Sequence, residues 1–195
     1  WKVMMSKKDI YVENLKTVQR VMKKKSPLKK PSPAILEERL VAELARVVSI
    51  EEKVESLAGG TSFFAVLNES KKQKLYQVMV ASGDHYRALI KEFKGLEKLK
   101  EKIKERFLSA PPFQHGGEKD MDALINQLSL EKSMKIGYEN ILKMLDRLGD
   151  KAKISKAGVT VVPNKAKPLI KKLIAAEKEH ILTLEEIIRS FGTAI

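Results

Sequence analysis

The sequence predicts an all-α protein, a single antiparallel four-helix bundle with an additional N-terminal helix. Three observations lead to this fold class. Four long segments repeat apolar residues every three or four positions, which is the spacing of an amphipathic helix. Gly or Pro residues separate these segments, and only the short stretch 157–162 favours an extended conformation. With 195 residues, 43% of them apolar and 32% charged, the chain can bury one well-formed core.

Residues 1–32 are predicted to form a basic arm and a linker. Residues 6–9 have the capping-box pattern that begins a helix, and apolar residues then recur at helical spacing as far as about Lys25. The proline-rich stretch 26–33 ends this helix, because proline lacks a backbone donor and disfavours a helical conformation in the residue before it. The bundle is therefore expected to occupy residues 33–195.

The body is predicted to contain four long helices. The first runs from Pro33 to the stop at Gly59-Gly60, the second over about 64–93, and the third over about 120–148. The fourth begins near Pro168, because proline is favoured in the first turn of a helix. A short and very basic helix over 96–108 is expected between the second and the third.

The composition excludes several kinds of chemistry. The chain has no cysteine, which excludes disulfides, thiolate metal sites, iron–sulfur clusters and cysteine nucleophiles. No apolar run approaches the roughly 20 residues needed to span a bilayer, and the N-terminus lacks the apolar core of a signal peptide. We therefore expect a cytoplasmic protein with no membrane partner. Motifs for phosphate, dinucleotide or serine-nucleophile chemistry are missing, and abundant Lys and Glu without Cys would suit a thermophile.

Each body helix carries ionisable side chains on or beside its apolar stripe. They are Glu43 on the first helix, His85 on the second, Glu131 on the third, and Glu177 and His180 on the fourth. Unpaired carboxylates are costly in an apolar interior, so several that converge need cations, protons or hydrogen-bond partners. Residues three apart share one helix face, which lets Glu177 and His180 bind one ion. The pattern predicts a site for a divalent metal ion, and the alternative for each residue is a solvated helix edge or a satisfied buried pair.

This layout resembles the ferritin-like superfamily, especially its rubrerythrin-type di-iron carboxylate members. Those proteins carry one Glu, then Glu-x-x-His, then one Glu, then Glu-x-x-His on four successive helices. Glu43 matches the first position, Glu131 matches the third, and Glu177 with His180 matches the fourth. The resemblance covers about residues 33–189. It implies an iron or manganese cofactor and a role related to metal or oxidative stress, such as the activation of oxygen or peroxide.

The second helix departs from the family pattern. Ser82 stands three residues before His85, where the family has a bridging Glu. Asp84 is a poor substitute, because neighbouring residues on an ideal helix are rotated by about 100° from one another. The departure implies a weakened, mononuclear or lost site, and whether the protein is an enzyme stays open.

Much of the formal net charge of +13 lies at the N-terminus. Residues 1–30 contain ten Lys or Arg against Asp9 and Glu13, a net charge of +8. A Lys-rich surface is usually solvated, but clustered lysines beside flexible prolines also suit contact with phosphate groups. The arm lacks interleaved aromatic residues and an Arg-rich pattern for base recognition, so nucleic-acid binding would be nonspecific. The candidate anion-binding lysines are Lys23, Lys24, Lys25, Lys29 and Lys30.

Two functions therefore remain open from the sequence. The first is a ferritin-like metalloprotein, in which the body binds iron or manganese. The second is a non-enzymatic helical scaffold whose basic arm binds an anionic partner such as nucleic acid or a ribonucleoprotein. In either case the apolar side of the arm helix needs cover, from the body, from a second copy of the chain or from another protein.

Overall fold

The computed structural model describes residues 31–58, 60, 64–107 and 118–192, apart from the side chains of 102–107 and 118–119. The predicted arm helix and its candidate anion-binding residues lie outside this range. They are Lys23, Lys24, Lys25, Lys29 and Lys30.

The described chain consists of five helices and one short hairpin. In chain order these elements are α1 (Pro33–Ser56), α2 (Glu69–Glu92), α3 (Leu96–Phe107), α4 (Glu118–Leu148), β1 (Ile154–Lys156), β2 (Val159–Val161) and α5 (Pro163–Arg189). The predicted all-α fold class is confirmed. No helix in the described ranges combines the length and the apolar character that crossing a membrane requires.

The start of α2 differs from the prediction. The helix begins at Glu69 because Asn68 caps it, with the Asn68 side-chain oxygen accepting a hydrogen bond from the backbone N–H of Lys71 at 3.0 Å. Phe64 was predicted inside this helix but lies before it, where its side chain is buried. Apolar residues at helical spacing continue before the start of α2, so the capping residue Asn68 indicates the start of this helix better than the periodicity does.

The segment between α4 and α5 is a hairpin, where only one extended stretch was predicted. β1 pairs with β2 in antiparallel register, with Ile154 opposite Val161. Ala157 and Gly158 form the two-residue turn, and both have positive φ, as a type I′ turn requires. The predicted stretch covered β2 and missed β1, because Ile154 is the only apolar residue in β1.

The last helix starts earlier than predicted. α5 begins at Pro163, which occupies the first turn, where its missing N–H is not needed. Pro168 therefore lies inside the helix and is not its first residue.

The four long helices share one apolar core. α1 packs against α2 and α4, and α5 packs against α4 and α2. Large side chains that are fully buried in this core include Leu40 and Leu44 from α1, Leu75, Met79 and Leu89 from α2, Leu124, Met134, Ile141 and Leu145 from α4, and Ile170 and Leu184 from α5. All four helices also place polar side chains in this interior.

Candidate metal centre

Three carboxylates and two imidazoles meet inside the helical body. Glu51 of α1, Glu131 of α4 and Glu177 of α5 are fully buried. The side chains of His85 on α2 and His180 on α5 are 12% and 10% exposed. These five residues are termed the carboxylate–histidine cluster below, and the four long helices all contribute to it.

Glu177 lies between the two histidines. Its Oε1 is 3.1 Å from Nδ1 of His85, and its Oε2 is 3.9 Å from Nδ1 of His180. The two imidazole rings are stacked, with centroids 5.3 Å apart and an angle of 16° between their planes. Each of these three residues has one potential metal-ligand atom that lies within 4.8 Å of those of the other two. A single buried carboxylate therefore connects both rings.

Each histidine also has a second carboxylate partner. Oε1 of Glu51 is 3.2 Å from Nδ1 of His85, and Oε2 of Glu131 is 3.2 Å from Nδ1 of His180. The cluster thus has two similar halves, one of Glu51 with His85 and the other of Glu131 with His180, and both halves share Glu177.

Helical spacing explains why these side chains converge. Glu51 lies four residues after Val47 and three before Val54, so it continues the buried stripe of α1. Glu177 and His180 are three residues apart and face the same side of α5, on which both are buried. These polar side chains therefore lie on the buried faces of α1 and α5, at positions that are usually apolar.

Two uncharged hydrogen-bond donors on α4 contact the carboxylates of Glu51 and Glu131, which are termed the outer carboxylates. The Tyr138 hydroxyl donates to Oε1 of Glu51 at 2.5 Å, and the Gln127 amide donates to Oε1 of Glu131 at 2.6 Å. Both donors are buried. Each outer carboxylate is thereby fixed at one oxygen by a group that carries no charge.

Other acceptor atoms of the cluster have no such donor. Oε2 of Glu51 and Oε2 of Glu177 are buried and have no hydrogen-bond partner among the described residues. A buried carboxylate oxygen without a partner is costly, because it has lost its hydration and gained nothing in exchange. These two atoms therefore need a cation or a proton.

The proton affinity of the cluster follows from its burial. Burial raises the pKa of Glu177 to about 12, and the neighbouring carboxylates of Glu131 and Glu51 raise this pKa further. Burial also raises the pKa of Tyr138 well above its ordinary value, and the charge of Glu51 adds to the shift. Without a cation, Glu177 holds a proton and Tyr138 keeps its own.

Glu43 is the one predicted ligand that the structure does not bring to the cluster. Both of its carboxylate oxygens accept hydrogen bonds from the guanidinium of Arg46, at 2.8 and 3.0 Å, and its side chain is 21% exposed. Glu51, eight residues later, is the α1 carboxylate of the cluster. The signal was present in the sequence, because Glu51 fits the stripe of buried residues and Glu43 lies beside that stripe, next to Leu44.

The donor set fits a metal ion in both chemistry and spacing. Two ligand atoms that are each about 2.1 Å from one ion, with an angle of about 90° between them at the ion, lie about 3 Å apart. This distance is close to the separations of 3.1 and 3.2 Å between histidine nitrogens and carboxylate oxygens in the cluster. Carboxylate and imidazole ligands suit iron, manganese and zinc. The same separations also suit hydrogen bonds from imidazole to carboxylate, so a metal ion and protons compete for these atoms.

No protein-family model matches this chain, and neither a curated protein nor a solved structure matches it.

Proposed function

We propose that this protein is a ferritin-like four-helix-bundle metalloprotein that binds iron or manganese through the carboxylate–histidine cluster. The observation that carries the proposal is the position of Glu177, a fully buried carboxylate that faces His85 with one oxygen and His180 with the other. The two buried oxygens without a hydrogen-bond partner support it, because a cation would satisfy both.

The two halves of the cluster favour two adjacent ion positions. Glu51 and His85 would hold one ion, Glu131 and His180 the other, and Glu177 would contact both. Two divalent ions would also offset the negative charges of the three carboxylates once Glu177 has lost its proton.

The chain's own residues set the surroundings of the ions. Tyr138 keeps a proton on its hydroxyl and orients Glu51, while Gln127 orients Glu131. Met134 and Leu128 lie about one helical turn on either side of Glu131, and both are buried. Iron or manganese bound there supplies redox chemistry toward oxygen or peroxide, in which carboxylate ligands stabilise the higher oxidation state.

Metal analysis of matched variants tests this proposal. The protein is loaded with Mn²⁺ or, without oxygen, with Fe²⁺, then desalted, and its metal content is measured by mass spectrometry. We expect the wild type to retain about two equivalents, as the two ion positions imply, and Glu177→Gln to lose most of them, because this one carboxylate serves both positions.

Glu43→Gln is the control, because it makes the same change on a carboxylate that pairs with Arg46. It should retain as much metal as the wild type. A wild type that retains no metal, or a Glu177→Gln variant that retains as much as the wild type, would contradict the proposal.

We also propose that the basic arm binds the phosphates of a nucleic acid. The support is the net charge of +8 over residues 1–30, which is most of the +13 carried by the whole chain. This function would be independent of the metal centre.

A further inference from the structure

A groove between α2 and α5 adjoins the carboxylate–histidine cluster at His180. Its volume is about 320 Å³, and its lining consists of Lys74, Gln77, Val78, Glu179, His180 and Thr183. His180 belongs both to this lining and to the cluster, so the groove and the candidate metal centre share this side chain.

Ser82 lies next to Val78, which lines this groove. It follows Val78 by one helical turn, on the same face of α2, and its side chain is fully buried. Its hydroxyl donates to the Val78 carbonyl oxygen at 3.5 Å, which is a long hydrogen bond.

The two halves of the cluster differ at Ser82. On α5, Glu177 precedes His180 by three residues, and on α2 Ser82 precedes His85 by the same spacing. Ser82 therefore has the same position relative to His85 along α2 as Glu177 has relative to His180 along α5. The α5 half has a carboxylate at this position, and the α2 half has a small hydroxyl.

The carboxylates of the cluster would not balance the charge of two divalent ions. Two divalent ions bring four positive charges, and Glu51, Glu131 and Glu177 offset three of them. One positive charge would remain inside a poorly solvated interior, where an unpaired charge is costly. A single negative charge near Ser82 would cancel it.

We propose that the groove between α2 and α5 admits a small carboxylate, such as formate or acetate, which binds the metal centre on its Ser82 side. This inference rests on the proposed function, because the carboxylate is bound only when metal ions are present. The carboxylate supplies the oxygen ligands and the negative charge that Ser82 does not. Gln77 and Lys74, which also pairs with Glu186 at 2.8 Å, line its route as hydrogen-bond donors.

Titration of the Co²⁺-loaded protein with formate tests the inference, because the visible spectrum of Co²⁺ changes with its ligands. We expect a saturable spectral change in the wild type. Ser82→Glu supplies the carboxylate from the chain itself, so formate affinity should fall at least about tenfold while the metal content is kept. Ser82→Asp is the second variant, with a shorter side chain for the same position.

Blocking the groove provides an independent test. Thr183→Trp should slow the binding of formate without changing the metal content, because a large ring would fill the passage. Asn140→Trp places the same ring in an exposed position on α4, in a different groove, and should leave the rate unchanged.

The outcomes separate the two proposals. A wild type that takes up no Co²⁺ defeats the proposed function and this inference with it. A wild type that binds Co²⁺ but shows no response to formate overturns the inference alone. So does a formate response that is unchanged in both Ser82 variants and in Thr183→Trp.

Discussion

Glu177 is the residue on which the properties of the cluster depend. It is fully buried, it has two other carboxylates nearby, and its two oxygens face different imidazoles. Its proton affinity is therefore high in the metal-free protein, and a bound metal ion must displace the proton. The same side chain links folding stability, pH and metal binding.

The stability of the metal-free protein should depend on pH through Glu177. The folded pKa is about 12, against an ordinary value of 4.5, so the folded state binds the proton more tightly than the unfolded state. The stabilisation is complete below about 4.5 and is lost progressively as the pH rises toward about 12. Urea unfolding across this range should show a free energy of unfolding that falls with pH more steeply in the wild type than in Glu177→Gln. Parallel curves would contradict this explanation.

Tyr138 should matter most when no metal is bound. Tyr138→Phe removes the hydroxyl that donates to the fully buried Glu51, and the loss should cost about 1–3 kcal/mol in unfolding free energy. The cost should shrink in the presence of Mn²⁺, because the ion supplies Glu51 with a partner. Urea denaturation with and without Mn²⁺ measures both effects.

Tyr76→Phe is the matched control for this change, because Tyr76 is 44% exposed. It should leave stability within about 0.5 kcal/mol of the wild type. Equal losses for Tyr138→Phe with and without Mn²⁺ would argue against a metal contact at Glu51.

At the scale of the elements, α1 and α4 approach each other closely at Gly137. A Cβ atom added there would lie 2.5 Å from Cγ1 of Val47 and 2.6 Å from a guanidinium nitrogen of Arg46. Val47 is fully buried and β-branched, so it has little freedom to move aside. Glycine at this position allows Tyr138, the next residue, to reach Glu51.

Gly137→Ala should therefore destabilise the protein although alanine is the better helix former. We expect a loss of about 1–3 kcal/mol from overpacking, measured by urea denaturation. Asn140→Ala on an exposed position of α4 serves as the control and should be neutral or slightly stabilising. A Gly137→Ala variant as stable as the wild type would mean that α1 and α4 can separate without cost.

The sequence predicted the elements better than their details. Apolar periodicity located the four long helices, because each buries one continuous stripe. It could not locate β1, whose three residues include a single apolar one, and it extended α2 past its Asn68 cap. Pro168 was taken for a helix start because a proline at the true start, Pro163, came directly after a stretch that looked extended.

The cluster was also predicted only in part. His85, Glu131, Glu177 and His180 were placed near one another by their position on apolar stripes, and the structure brings these four together. Glu51 was missed because the first-helix carboxylate was sought one place off the stripe, at Glu43. Tyr138 and Gln127 could not be identified as hydrogen-bond donors to the cluster, because those contacts depend on how α4 packs against its neighbours.

At the scale of the whole molecule, charge is concentrated in residues 1–30, with a net +8. If all five candidate lysines of the arm contact phosphates, the logarithm of the affinity for single-stranded nucleic acid should fall with the logarithm of salt concentration with a slope of about −3.5. Deleting residues 1–30 should remove most of this binding and leave the helicity of residues 33–195 and the metal content unchanged. Fluorescence anisotropy at several salt concentrations measures the slope, and tight binding that does not respond to salt would contradict an electrostatic contact.

The most direct test of the metal centre is anomalous X-ray diffraction from crystals of the Mn²⁺- or Fe²⁺-loaded protein, measured at the absorption edge of the metal. We predict anomalous peaks inside the helical body, in contact with Glu177 and with both His85 and His180. Peaks confined to the surface, or a cluster without any peak in crystals that contain the metal elsewhere, would contradict the account.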